Sequence, residues 1–444
     1  MKTFIVNASI INEDKEFIGS VLIENELIVD INPINPDLSD TIIIDAKGNY
    51  LIPGVIDDQV HFREPGNCEK ADIESESKAA ILGGVTSFMD MPNNKPPVCD
   101  ATSLESKYFI AKEKSYANYS FYLGASNDNF EEILKTDNQS VCGLKVFMGS
   151  STGNMLVDNS DTLENIFRSF PSLIATHCEE EEIIKNNLSE YKLQYNEEIP
   201  FNKHHLIRSR EACIESTKKA LELAVKHNTQ LHILHISTKE EVDLIAEAQK
   251  KNPKISAETC VHFLWFNADD YDRMGSFIKC NPAIKEKKDM LAIRQGIKDG
   301  IIKVVATDHA PHLLSEKQGK YLEAPSGLPL VQHSLQAMLE FVNQSVFTIP
   351  EVIRYMCHNP ADLYRIEKRG YIRKGYYADL VIVDRNKPYK VSKDNIAYKC
   401  KWSPFLGYQF TSAITHTFVN GEMVVNDGVL TGARNSKRLK FKRN

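Results

Sequence analysis

Long apolar runs are missing from this 444-residue chain. None approaches the roughly 18 residues that a membrane-spanning helix needs, so no bilayer span is expected. The opening stretch MKTFIVNASI is interrupted by Asn7 and lacks a small-residue cleavage site, which argues against a signal peptide. No CxxC pair occurs among the nine cysteines. They are scattered singly and odd in number, as reduced thiols of a cytoplasmic protein would be, and they outline no disulfide framework. An excess of positive charge is also lacking. The formal net charge of −7 speaks against nucleic acid or an acidic membrane as the main partner. The one basic cluster, SKRLKFKRN at Ser436–Asn444, reads as a solvated tail.

With 42% apolar and 25% charged residues, the composition is that of a globular protein. The length exceeds one ordinary core and suits one large α/β barrel plus a smaller module. The first ~50 residues read as short strands (TFIVNASI, GSVLIENELIVDI, TIIIDAKGNYLIPG) with Asn and Gly at the turns. The C-terminal stretch repeats that texture in GYIRKGYYADLVIVD and SAITHTFVNGEMVV, with a hairpin signal at Asn420-Gly421. The two ends are therefore expected to build one β-sandwich module, from residues 1–52 and 361–444. Between them, over 53–360, eight short apolar runs alternate with helices. They are GVIDDQVHF, VTSFMDM, YSFYLGAS, GLKVFMG, SLIATHCE, LHILHIS, KISAETC and IKVVATDHA. One helix is expected from Asp72 to Gly83-Gly84 and another over 211–228, and Ser237 to Glu240 reads as a capping box. Continuous apolar runs joined by crossover helices mean a parallel sheet covered on both faces, and eight of them mean a (β/α)8 TIM barrel.

Such barrels carry their chemistry at the carboxyl ends of the strands. The polar residues there are His61 after strand 1, Lys145 in strand 4, His177 ending strand 5, His235 in strand 6 and Asp308 after strand 8. Each has a bland alternative. A lone strand-end His is more often a hydrogen-bonded structural residue than a ligand. A Lys inside GLKVFMG can snorkel to water, and Asp308 can cap the next segment. Converging on one rim, however, imidazoles and a carboxylate form a set of metal ligands with an open position. One departure is conspicuous. In IDDQVHFREPG, strand 1 ends in Gln59-Val60-His61, where a His-x-His clamp would carry two imidazoles.

PGVIDDQVHFREPG, GGVTSFMDMPNNKPP and ATDHAPH, with the more diverged LHILHIST, KCNPAIK, APSGLPL and GYYADLVIVD, together resemble the cyclic amidohydrolases of the metal-dependent amidohydrolase superfamily. Within them the chain is most similar to the dihydroorotases, over nearly its whole length. Allantoinases and the hydantoinases or dihydropyrimidinases are the neighbouring alternatives. Allantoinases typically carry Asn where this chain has Arg63, and Pro-Leu-Asn where it has Met91-Pro92-Asn93-Asn94. A guanidinium suits a substrate with a free carboxylate, which dihydroorotate has and hydantoin lacks.

The resemblance implies reversible hydrolysis of dihydroorotate to N-carbamoyl-aspartate in pyrimidine biosynthesis, with Zn2+ at one or two positions per chain. His61 and Asp308 would hold one zinc, with Gln59 as a weak further ligand, and His177 with His235 the other. Lys145 matches a carboxylated lysine that bridges the two; the segment GSSTGN after strand 4 has no Asp to replace it. Asp308 would also be the general base. Arg63, Asn93 and His312 match positions that hold the substrate carboxylate, and Asn281, Ser326 and Gly327 those that hold the ring amides. His262 matches a family histidine with no assigned role. The segment 317–329 is expected to close over the ligand. Loss of one imidazole at Gln59 takes an ion from five ligands to four, so the first zinc should bind more weakly than the second. Small-molecule substrates are the expected partners, with a homo-oligomer, foremost a dimer, in keeping with the family. The silent alternative is a subunit of this family that scaffolds an aspartate transcarbamoylase, for which a degenerate metal set would be the mark.

Overall fold

The computed structural model describes residues 2–149 and 155–443. Its centre is a closed parallel barrel. The strands, in order, are Val55–Val60, Val85–Asp90, Asn118–Phe121 continued by Leu123–Gly124, Leu144–Phe147, Ile174–His177, Leu231–Ile233, Ser256–Cys260 and Val304–Ala306. Each pairs in parallel with the next, and a parallel bridge from Val60 to His309 joins the last to the first. Every residue in these strands is buried, which explains why they read as unbroken apolar runs. Among the described residues no helix is long and apolar enough to cross a membrane, and all nine cysteines are free thiols.

Local signals set the crossover helices. Asp72 caps the helix Ile73–Leu82 by accepting from the Ser75 amide at 2.8 Å. Gly83 ends it, where a Cβ would lie 2.5 Å from the Gln332 carbonyl. The long helix runs Arg210–His227. The capping box of the next helix, Lys239–Lys251, sits one residue later than the sequence suggests: Thr238 is the cap and Glu241 its partner. Two consecutive glutamates leave the register open, and burial decides it. Glu241 is enclosed and also accepts from Thr217 Oγ1 at 2.8 Å, whereas Glu240 turns outward to Arg210.

A nine-stranded sheet unites the two ends of the chain. The seam is Leu380–Asp384, antiparallel to Tyr50–Pro53. Ile5, Ile10, Val21, Leu51, Leu380 and Phe418 form its core. The hairpin of Ala413–Val419 with Glu422–Asn426 turns at Asn420 and Gly421, both with positive φ (49° and 77°), as a tight two-residue turn requires. The basic C-terminus is not a solvated tail. Its backbone bonds to both sides of Tyr119 on the third barrel strand, Leu439 and Phe441 are buried, and Arg443 donates to the Asn138 and Val141 carbonyls at 2.8 Å. Charged and apolar residues alternate along it, so the apolar set packs inward while the cations reach carbonyls and Glu105.

Candidate active site

Side chains from several barrel strands meet at the carboxyl rim. His235, Asp308 and Arg63 hold left-handed backbone there, with φ of 42°, 48° and 67°. Non-glycine residues occupy this region at a cost of about 1–3 kcal/mol each, and their gathering at one rim marks a place where side-chain direction outweighs backbone comfort.

On one side of the rim, His177 Nδ1 and His235 Nε2 face each other at 2.9 Å. The other nitrogen of His177 lies 2.9 Å from Glu179 Oε2. Glu179 is fully buried, and Arg208 clamps the same oxygen. Burial alone would raise the Glu179 carboxyl, but Arg208 and His177 bring it down to about 2. It is therefore ionised and takes the His177 Nε2 proton, leaving Nδ1 as a lone pair aimed into the site. Burial lowers both imidazoles, His235 well below the ordinary histidine value, so neither carries charge at neutral pH. Two neutral imidazole nitrogens converging on one point, one braced from behind by a carboxylate, fit a soft divalent ion such as zinc. Lys145 stands on the neighbouring strand, buried, with its amine 4.5 Å from the Phe147 ring centre. Burial takes its pKa down to about 7, which leaves much of the amine uncharged. Of the expected GSSTGN stretch, residues 150–154 lie outside those described.

The other side differs. His61 Nδ1 meets the Asn93 side-chain oxygen at 2.8 Å, and His61 Nε2 lies 3.1 Å from Asp308 Oδ1. The same Asp308 oxygen accepts from Gln59 Nε2 at 3.2 Å, and Gln59 Oε1 turns towards the Cys260 thiol at 3.8 Å. Gln59 thus spends its amide N–H on the carboxylate and presents no oxygen to an ion between His61 and Asp308. The donor set fits a cation less well here than at His177 and His235. Burial would raise the Asp308 carboxyl, but the His61 hydrogen bond and charge, with His262 and Lys145, hold it below the ordinary range. His262 is buried without a hydrogen bond at either nitrogen, and burial lowers it to about 4.

Arg63 borders this pair. Its Nε donates to the Pro311 carbonyl at 3.1 Å, and Nη2 lies 3.1 Å from His312 Nε2. Among the described residues no carboxylate is paired with it. Lys70 donates to His312 Nδ1 at 3.3 Å, so the ring proton sits on Nε2 and goes to the Ser326 carbonyl at 3.0 Å. Burial and then the charges of Arg63, Lys70 and Lys317 push His312 far down, keeping it neutral. Asn93 is engaged with His61, and Asn281 has a buried side-chain oxygen with no partner. At Gly327 a Cβ would sit 2.4 Å from the Ala310 carbonyl, so glycine alone fits. Its N–H is taken by the Lys279 carbonyl at 2.9 Å. The segment 317–329 is tied down at the rim by two buried lysines. Buried Lys317 donates to the Pro325 and Gly327 carbonyls at 2.8 and 3.0 Å, and buried Lys279 to those of Tyr321 and Ala324 at 2.6 Å. Glu179 and Arg208 are the members of the site that sequence reasoning missed. THCEE offers two adjacent glutamates, and only their burial tells them apart.

Residues 50–424 match the Amidohydrolase family. Dihydroorotase from Pyrococcus horikoshii is 32% identical over 429 residues, covering 96% of this chain and 93% of that protein. Dihydroorotase from Methanosphaera stadtmanae is 30% identical, covering 92% and 94%. Among solved structures, the L-hydantoinase (dihydropyrimidinase) from Arthrobacter aurescens superimposes with a TM-score of 0.93 at 25% identity, covering 99% of each chain. With a rim of imidazoles, lysine and aspartate on a closed parallel barrel, and with relatives aligned over nearly its full length, this chain belongs to the amidohydrolase family.

Proposed function

We propose that the chain is a dihydroorotase, a cytoplasmic enzyme that interconverts dihydroorotate and N-carbamoyl-aspartate. The observation that carries this reading is Arg63: a half-buried guanidinium at the rim, beside the His61–Asp308 pair, that donates to the Pro311 carbonyl, stands next to the neutral His312 ring and, among the described residues, has no carboxylate partner. A partly desolvated cation in that state is stabilised when an anion arrives. A ring substrate bearing its own carboxylate supplies one in bidentate geometry. Relatives named dihydroorotase support the same substrate.

Zinc is the proposed metal, held first by His177, His235 and Lys145, the last as a carboxylated side chain. When bound, such an ion acidifies water and polarises the scissile carbonyl. The amine of Lys145, lowered to about 7, is nucleophilic enough to take up carbon dioxide, which turns a repelling ammonium into an anionic oxygen ligand. The chain's own residues do the rest. Arg63 fixes the carboxylate and His312 backs it. Asn93 keeps His61 in one orientation. Asn281 offers its unpartnered oxygen to a ring N–H. Asp308, ionised at neutral pH, takes a proton as the water oxygen adds to the ring carbonyl. It returns that proton to the departing nitrogen as the ring C–N bond breaks.

Purified enzyme should interconvert the two compounds and contain zinc. Arg63→Gln should raise KM for dihydroorotate by about 10–100-fold, the worth of a charge-assisted bidentate contact of roughly 1.5–3 kcal/mol. Unchanged KM, or turnover of uncharged hydantoin in preference to dihydroorotate, would overturn the substrate assignment.

A further inference from the structure

Below the rim, inside the barrel, three more ligand-type side chains meet. Asp58 comes from the first strand, His232 from the sixth and Glu258 from the seventh, and all three are completely buried. One ligand atom from each lies within 4.8 Å of the other two. His232 Nε2 stands 3.1 Å from Glu258 Oε2 and 3.5 Å from Asp58 Oδ2. Neither oxygen of Asp58 has a hydrogen-bond partner, and nor does Glu258 Oε1.

The tautomer of His232 sharpens this. Ser256 Oγ lies 3.2 Å from the Leu231 carbonyl and 2.8 Å from His232 Nδ1; with the hydroxyl proton on the carbonyl, Nδ1 donates to Oγ. A neutral His232 then presents a bare Nε2 lone pair to two carboxylates. Lone pairs facing one another call for a proton or a cation between them, and a single proton, on the ring or on Glu258, bridges one pair only. Protonating the ring supplies one charge against two and still leaves the Asp58 oxygens unbonded. A divalent cation neutralises both carboxylates and gives every unpartnered oxygen a role. Two ligands held about 2.1 Å from a tetrahedral ion are about 3.4 Å apart, and 3.1 and 3.5 Å bracket that value. Burial, and then the Asp58 charge, push the Glu258 carboxyl well above its ordinary value, as expected of two carboxylates facing each other with no ion between them. The His61–Asp308 contact at the rim, 3.1 Å, has the same form.

We propose that Asp58, His232 and Glu258 form a second, structural metal site that binds a divalent transition ion such as Zn2+ or Mn2+ inside the barrel, separate from the catalytic centre. Asp58 supplies one or both oxygens, His232 its Nε2 and Glu258 its Oε2. The site is closed to solvent, so the ion binds no substrate. It pins the first strand to the sixth and seventh, two of which carry Gln59, His61 and His235 to the rim. Enclosure also makes the ion slow to leave.

Anomalous diffraction from crystals of the intact enzyme, grown with Zn2+ or with Mn2+ and recorded across each metal's absorption edge, locates the ion without any substitution. A peak between Asp58, His232 and Glu258, in addition to any at the rim, is the expected result. No peak there, with the carboxylates close enough to share a proton, overturns the proposal. In solution, EDTA should strip the rim metal quickly and leave about one equivalent per chain that departs at least tenfold more slowly. Asp58→Asn with Glu258→Gln should abolish that slow equivalent and leave the fast one. Loss of all metal from the unmodified enzyme in a single fast phase, or an unchanged slow equivalent in the folded double variant, likewise overturns it.

Discussion

Replacing Glu179 by Gln should weaken zinc binding about tenfold without moving any direct ligand. Glu179 Oε2 accepts the His177 Nε2 proton at 2.9 Å from a fully buried position, and Arg208 keeps the carboxyl ionised. A hydrogen bond to a charged group contributes roughly 1.5–3 kcal/mol and a neutral one roughly 0.5–1.5 kcal/mol. The substitution keeps an acceptor of similar shape and forfeits the difference, about 1–1.5 kcal/mol. At about 1.4 kcal/mol per decade that is close to one power of ten in Kd, the lower end of what second-layer partners of metal-bound histidines are worth. Competition against a chromophoric chelator measures it. Stability should fall as well, because Arg208, largely enclosed, loses its anion. Arg208→Gln tests the cause. It should cost stability and, by removing the charge that holds the buried Glu179 carboxyl ionised, weaken zinc binding by up to the same factor. If Glu179→Gln binds zinc within twofold of the parent, the carboxylate does not orient the ligand and the reasoning fails.

Gln59→His should remove the amide N–H from Asp308 Oδ1 and place a second imidazole beside His61. Metal per chain, measured by elemental analysis after equilibrium with zinc, should rise towards one further equivalent; no rise would mean that Gln59 does not limit that position. Lys317 is buried, and burial with the charge of Lys279 takes its pKa from 10.5 to about 7. Between about pH 7.5 and 9.5 the unfolded chain holds a proton there that the folded chain has released, so this group makes stability rise with pH across that window. Lys317→Met should lower the slope of unfolding free energy against pH by about 1.4 kcal/mol per unit, and an unchanged slope in denaturant titrations would contradict the assigned shift.

Most of the fold is legible in the sequence because the barrel strands are enclosed on both faces. Each shows as an apolar run without alternation, and the helix from Ile73 announces itself through Asp72 and Gly83. The C-terminus misleads for a reason that belongs to composition. In KRLKFKR the cations dominate any average, yet the period-two alternation carries the information, and its apolar members, Leu439 and Phe441, are the ones that bury. The strand they meet lies some 300 residues earlier in the chain, at Tyr119, and no local pattern names a partner so distant.

The rim divides in the same way. His61, His177, His235 and Asp308 end or follow strands and Lys145 lies within one, so their places at the rim can be counted from the sequence. Their supports cannot be found so, since choosing Glu179 over Glu180 requires knowing which one points inward. The deeper cluster is harder still. Asp58 sits between Asp57 and Gln59, and a strict alternation along the strand would give Asp58 the opposite face from Gln59. The pairing of the first strand with the second shifts between Asp57 and Val60, and that irregularity lets consecutive residues serve different tasks. Asp57 bonds Thr307 at 2.6 Å, Asp58 turns to His232, and Gln59 reaches Asp308. The Gln59 substitution and the Asp58 carboxylate therefore belong to one local feature. The strand that carries Gln59 in place of an imidazole at the rim brings a carboxylate to the interior, and the structural ion proposed there would hold the first strand in register where the rim offers one imidazole fewer.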